Sequence, residues 1–217
     1  MAGLAIFGAS GMIGSAVLAE ALDRGHEVLA VARDHTKLTR RHPALRVLAG
    51  DVRDQATAAA GVAGQDVVIN AVGGGHGDAA GHRATAEPAV RSLVAALRAA
   101  GPGRRLITVG GAGSLRTADG SLLRDYAGLS DTMRQIIRAG GDALDYLRTV
   151  TDVRWTTISP PARIGPGPRT GSYRSALDTL ILAEDGTSAI STDDFAIAVL
   201  DEAERPEHVG RRFTVGY

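Results

Sequence analysis

The sequence predicts an α/β chain built on one open, doubly wound, mostly parallel sheet with helices on both faces. Three observations point to it. Apolar runs of strand length alternate with longer stretches of helical periodicity along the chain. Several of those runs are apolar throughout, as strands buried on both faces require. No linker and no solenoid-type repeat divides the 217 residues, so residues 1–217 are expected to form a single domain with a small C-terminal substrate region.

The expected strands are LAIFG (4–8), VLAVAR (28–33), LRVLAG (45–50), DVVINAV (66–72), RLITVG (105–110), WTTIS (155–159) and RFTVG (212–216). Between the first two lies a helical stripe of Ile13, Val17, Ala21 and Leu22. Before the fifth strand, Val90, Leu93, Val94 and Leu97 repeat at i, i+3, i+4, i+7. A third helix opens at "STDD" from Ser191, which offers a cap and acidic side chains to the first turn. It continues through Phe195, Val199 and Leu200. Strands joined by such helices form right-handed crossovers.

Two segments break the rhythm. GGGHGDAAGHR, at 73–83, follows the fourth strand, and the proline-rich 160–175 follows the sixth. Ligands of open α/β sheets bind beyond the carboxyl ends of the strands, so both segments are expected to wall a site. His76 and His82 in the first segment lack a third metal-ligand pattern, and no metal is expected.

Composition narrows the function classes. Hydrophobic residues make up 44% and charged residues 22%, and 24 basic residues balance 24 acidic ones. A net charge of zero gives no pull toward nucleic acid or an anionic membrane. The absence of cysteine excludes disulfides and thiolate chemistry. The apolar stretch 4–7 is too short for a signal peptide or a membrane span. A cytoplasmic monomer or homodimer is expected.

IFGASGMIGS, residues 6–15, carries the most specific signal. Gly8, Gly11 and Gly14 recur every third residue between a strand and an amphipathic helix. A phosphate approaching a helix N-terminus meets unpaired N–H groups and the positive end of the helix dipole. Glycine suits the tight turn, the point of phosphate approach and the close helix packing. Ser10 adds a hydroxyl donor, and Met12 and Ile13 lie between the glycines at the helix start. The pattern in this context predicts dinucleotide binding.

The G-x-x-G-x-x-G spacing, with "VARD", "GDV", "VGGAGSL", "WTTISPPARIGPG" and the final "RRFTVGY", resembles the atypical short-chain dehydrogenase/reductases over essentially the whole chain. Within them it is similar to the NAD(P)H-binding group that includes NmrA-like regulators and flavin/biliverdin reductases. The resemblance implies a Rossmann-type sheet and an oxidoreductase-like site. It places Asp51 and Val52 beside the adenine, and Ala71, Val72 and Gly73 beneath the ribose and nicotinamide. Ser159 and Pro160, at the end of the sixth strand, complete that cofactor set.

Arg33, at the end of the second strand, sets the cofactor expectation. A guanidinium there favours the 2′-phosphate of NADP, and two unit charges 4 Å apart interact by about 4 kcal/mol at an effective dielectric near 20. The resemblance also puts Arg33 in the phosphate-binding position. Asp34 leaves NAD open, because it can serve the ribose hydroxyls or cap the following turn. NADP(H) is expected over NAD(H).

The Tyr-x-x-x-Lys pair of typical short-chain reductases is absent. Lys37 is the only lysine, and none of Tyr126, Tyr146, Tyr173 and Tyr217 has a lysine four residues on. Ser114, after the fifth strand, stands near the family's catalytic serine or threonine, and equally fits a plain Gly-Ala-Gly-Ser turn. The histidine that flavin/biliverdin reductases carry in the "PP" loop is replaced by Ala162 and Arg163. Hydride transfer to a flavin asks only for stacked rings and a bound phosphate. Arg163, Arg169 and Arg174 suit an anionic or flavin-like acceptor if they line the loop. The expected activity is hydride transfer from NADPH to a flavin, quinone or similar small acceptor. A non-catalytic NADP(H)-sensing module of the NmrA-like kind is the alternative.

Overall fold

The computed structural model describes residues 2–75 and 77–217. Strands β1 (Gly3–Phe7), β2 (Glu27–Ala32), β3 (Leu45–Ala49), β4 (Val67–Asn70), β5 (Arg105–Val109), β6 (Arg154–Ser159), β8 (Arg174–Ala176) and β10 (Arg211–Gly216) form one sheet. Its order is β3-β2-β1-β4-β5-β6-β10-β8, parallel except for β8 against β10. Strands β7 (Arg163–Gly165) and β9 (Ala189–Ser191) pair separately. Strand order reverses between the parallel neighbours β1 and β4, and there a crevice opens at the strands' carboxyl ends. The Rossmann-like fold of the sequence reading is the fold observed.

Side-chain alternation divides the core between the two faces. Leu4 and Ile6 of β1, Ile107, Ile158 and Phe213 pack with α1 (Met12–Asp23) and α5 (Thr192–Glu204). Ala5 and Phe7, with Val68, Leu106 and Trp155, pack with α2 (Gln55–Val62), α3 (Ala79–Ala100) and α4 (Asp131–Arg148). Buried aliphatic and aromatic side chains of this size each contribute roughly 1.5–3 kcal/mol.

Five of the seven expected strands run past their true ends by one or two residues. Gly8 leaves β1 with φ +82°, and the Asn70 side chain accepts from the Val72 amide at 3.2 Å, which turns the chain out of β4. The 73–83 segment is not all loop. Asp78 caps the Gly81 amide at 2.8 Å, so α3 begins at Ala79. The proline-rich segment likewise contains β7 and the first residues of β8. Helices α2 and α4 were not anticipated.

Pro88 sits inside the 22-residue α3 and removes the amide that would bond the Ala84 carbonyl. The Arg53 guanidinium takes that place, donating to Ala84 O at 3.3 Å while it also holds Asp51. The helix continues through the proline because an outside donor satisfies its orphaned carbonyl.

Candidate functional site

The glycine turn is built by close contact. A Cβ at Gly8 would lie 2.7 Å from the Ala71 carbonyl oxygen, and one at Gly14 2.1 Å from the Gly8 carbonyl oxygen. Those two glycines let β1, β4 and α1 meet. Gly11 differs: its φ is −81°, its nearest Cβ neighbour is 3.3 Å away, and it opens toward the crevice. Helices α2, α3, α4 and α5 each begin with a side-chain cap from Asp54, Asp78, Ser130 or Ser191. Helix α1 has none and no acidic residue in its first turn. Among the described residues, the amides of Met12, Ile13 and Gly14 have no hydrogen-bond acceptor. That end of α1 is therefore free to receive an anion, in a cradle that a side chain at Gly11 would fill.

A first cavity, about 170 Å³, runs from this turn to the end of β2. Gly8, Ser10 and Gly11 line one end, Arg33 the other, and Asp51 and Val52 the side. Asp34 is engaged locally, accepting from the Thr36 hydroxyl at 2.5 Å and the Thr36 amide at 3.1 Å. These bonds hold its carboxyl below the usual carboxylate range. Among the described residues, no carboxylate pairs with Arg33. Asp51 takes the Arg53 guanidinium at 2.6 and 3.0 Å, and that contact is the main reason its carboxyl falls to about 2.

Ala71, Val72 and Gly73 line the first cavity and also a second, larger one of about 600 Å³. Its walls are apolar. The inward face of α4 presents Met133, Ile136, Ile137, Gly140, Ala143 and Leu144, a helical stripe with no titratable group. Gly113 lets α4 close in, since a Cβ there would lie 2.1 Å from Ile137 Cγ2. Pro160, Pro161, Ala162 and Ile164 form the opposite wall. Its floor is polar: Asn70, Thr108 and Thr157 lie on neighbouring strands. Two titratable side chains among the described residues reach this cavity. His82 shares a 3.0 Å hydrogen bond with the Gly75 carbonyl, and Tyr126 stands 65% exposed at the mouth.

Most of the predicted cofactor residues come together around these cavities. Ile13 and Pro160 line the larger one. Met12 is half exposed at the open end of α1, and Ser159 lies buried behind Pro160. Ser114 is not brought to either cavity; its hydroxyl accepts from Arg212 at 3.2 Å. The expected arginine wall does not form. Arg169 pairs with Glu20 at 2.8 Å, Arg174 donates to the Leu182 and Tyr217 carbonyls, and Arg163 lines neither cavity. The guanidinium groups of Arg169 and Arg174 are drawn to acceptors supplied by their own fold. His76 lies outside the described residues, and no cluster of metal-ligating side chains occurs among them. The α4 wall was missed although its 3.6-residue stripe and the Ser130 cap are both legible.

Comparison with known proteins agrees with this geometry. A model of NAD(P)H-binding proteins matches residues 8–206. YwnB of Bacillus subtilis (strain 168), described as uncharacterized, is 38% identical over 98% of this chain and 97% of its own. A Bacteroides thetaiotaomicron structure described as a "putative epimerase" superposes with a TM-score of 0.89 at 35% identity, covering 100% of this chain and 97% of that one. A Streptococcus pneumoniae TIGR4 structure described as a "putative NADH-flavin reductase" gives 0.86 at 30%, covering 100% and 99%. No helix among the described residues is long and apolar enough to cross a membrane. The glycine turn, the strand order and the match over most of its length together make this chain a member of the NAD(P)H-binding family of atypical short-chain dehydrogenase/reductase type.

Proposed function

We propose that this protein is an NADP(H)-dependent oxidoreductase that passes a hydride to a flat, uncharged ring such as a flavin or quinone. The observation that carries this reading is the junction at Ala71–Gly73, residues shared by a smaller cavity with Arg33 and Asp51 on its rim and a larger apolar one. The uncapped amides of Met12, Ile13 and Gly14, with Gly8, Ser10 and Gly11, seat the pyrophosphate. Arg33 takes the 2′-phosphate with Lys37 on the same rim, and Asp51 and Val52 flank the adenine. Ala71, Val72 and Gly73 carry the ribose to the larger cavity, where Ile13 and Pro160 hold the nicotinamide edge, with Ser159 behind Pro160.

A bound reduced nicotinamide supplies the hydride. The apolar face of α4 and the Pro160–Ala162 wall stack the acceptor and exclude water. The acceptor gains two electrons with the hydride and one proton from solvent, so no tyrosine–lysine pair is required. The relative described as an NADH-flavin reductase supports this acceptor class. Purified protein should oxidise NADPH when FMN or a naphthoquinone is added, and NADH more slowly. Absence of turnover with every acceptor overturns the enzyme reading, and a preference for NADH overturns the NADP assignment.

A second reading, a non-catalytic module that binds NADP(H) as a signal, is supported by the placement of Ser114, the candidate catalytic hydroxyl, outside both cavities. Tight NADPH binding without turnover across the acceptors selects it.

A further inference from the structure

The larger cavity is apolar on its walls but not on its floor. Asn70, Thr108 and Thr157 are register partners on β4, β5 and β6. All three line the cavity, and they are 3%, 4% and 1% exposed. Their hydrogen bonds run in one direction. The Val72 amide donates to Asn70 Oδ1 at 3.2 Å, and Asn70 Nδ2 donates to Thr108 Oγ1 at 3.1 Å. The Thr108 hydroxyl hydrogen is left to point elsewhere. Thr157 Oγ1 has no partner among the described residues.

A buried hydroxyl without a partner costs about 1–3 kcal/mol, and such a group in a native fold calls for an explanation. Valine would fill the same volume without that cost. Gly110 sharpens the point. It faces the same side one step beyond Thr108, and a Cβ there would lie 2.7 Å from Thr157 Cγ2 and 3.3 Å from Ser159 Oγ. Glycine therefore keeps open the space beside the Thr157 methyl group and the Ser159 hydroxyl.

We propose that Thr108 and Thr157 hold the pyrimidinedione edge of a flavin ring, with Asn70 orienting Thr108. Neighbouring strands lie about 4.8 Å apart, so the two threonines stand side by side on one face of the sheet. A flavin carries two carbonyl oxygens flanking an N–H along one edge, which suits two adjacent hydroxyls. A para-quinone places its oxygens at opposite ends of the ring. No arginine or lysine among the described residues lines this cavity, so the ring and not a phosphate tail is read. This inference rests on the proposed function in placing the acceptor here.

The test is Thr157→Val beside Thr157→Ser, with lumiflavin, FMN and 1,4-naphthoquinone as acceptors at saturating NADPH. Thr157→Val should raise the KM for lumiflavin and FMN at least tenfold, alike for both. The KM values for NADPH and for naphthoquinone should stay within twofold, and Thr157→Ser should stay within threefold of the parent. The melting temperature of Thr157→Val should equal or exceed the parent's, which a purely structural hydroxyl would not allow. An unchanged flavin KM, or an equal loss for NADPH or naphthoquinone, overturns the inference. If the parent turns over no acceptor, the enzyme reading fails separately. Lumiflavin fluorescence titrated with NADP⁺-loaded protein then decides: a tenfold weaker Kd in Thr157→Val sustains the seat, and an equal Kd or no binding overturns it.

Discussion

A Cβ on Gly14 would lie 2.1 Å from the carbonyl oxygen of Gly8, whereas the same oxygen is 3.3 Å from a Cβ on Gly11. Two glycines of one motif thus have separable tasks. Gly14→Ala should destabilise the fold by about 1–3 kcal/mol through overpacking, although alanine is the better helix former. Gly11→Ala should cost less than about 1 kcal/mol of stability. It should nevertheless weaken NADPH binding at least tenfold. Denaturant melts and NADPH titrations of the two variants measure the separation.

Arg33 and Asp34 make a second separable pair. Arg33→Glu should weaken NADPH binding ten- to hundredfold, as loss of charge-assisted bonds of roughly 1.5–3 kcal/mol predicts, and leave NADH within threefold. Asp34→Asn should leave the NADPH/NADH ratio unchanged, because its carboxylate already serves Thr36. Isothermal titration with both nucleotides reads each ratio, and equal losses for both nucleotides in Arg33→Glu would refute the assignment.

Gly110→Val places a branched side chain where even a Cβ would be 2.7 Å from Thr157 Cγ2. NADPH should still raise the melting temperature of this variant, since a ligand bound only by the folded state stabilises it. Flavin-dependent NADPH oxidation should fall at least tenfold. Retained flavin turnover would show that the space beside Thr157 is not used.

Acid stability should centre on Asp194. Burial pushes its carboxyl up, but the Tyr217 hydroxyl, the Thr170 hydroxyl and the Gly171 and Thr170 amides together outweigh burial and bring it to about 2. The folded value lies below the ordinary 3.8, so the carboxylate's contribution is complete above about pH 4 and is lost as the pH falls toward 2. Asp194→Asn should cost about 2 kcal/mol at pH 7, and the gap to the parent should close between pH 4 and pH 2. Urea melts across that range measure it.

The sheet was legible because its strands announce themselves locally: LAIF, VLAVA and VVIN are buried on both faces and need little context. The glycine turn was legible for a related reason, since Gly8, Gly11 and Gly14 are close in sequence and fixed by backbone geometry. The polar floor of the larger cavity was not. Thr108 and Thr157 become neighbours only through the pairing of β5 with β6, and nothing in RLITV or RWTTIS fixes that register beforehand. The arginines failed in the opposite sense. Their charge is plain in the sequence, but Glu20, which captures Arg169, is 149 residues away from it.

The open N-terminus of α1 has a further consequence. Its anion-binding groups are main-chain amides, which a substitution can obstruct but never replace. If Arg33 selects the nucleotide as proposed, point mutation at that rim can redirect the choice far more readily than it can redesign an anion seat built from main chain. Variation in this protein should accumulate at the edges of the crevice and spare its hinge-like glycine floor.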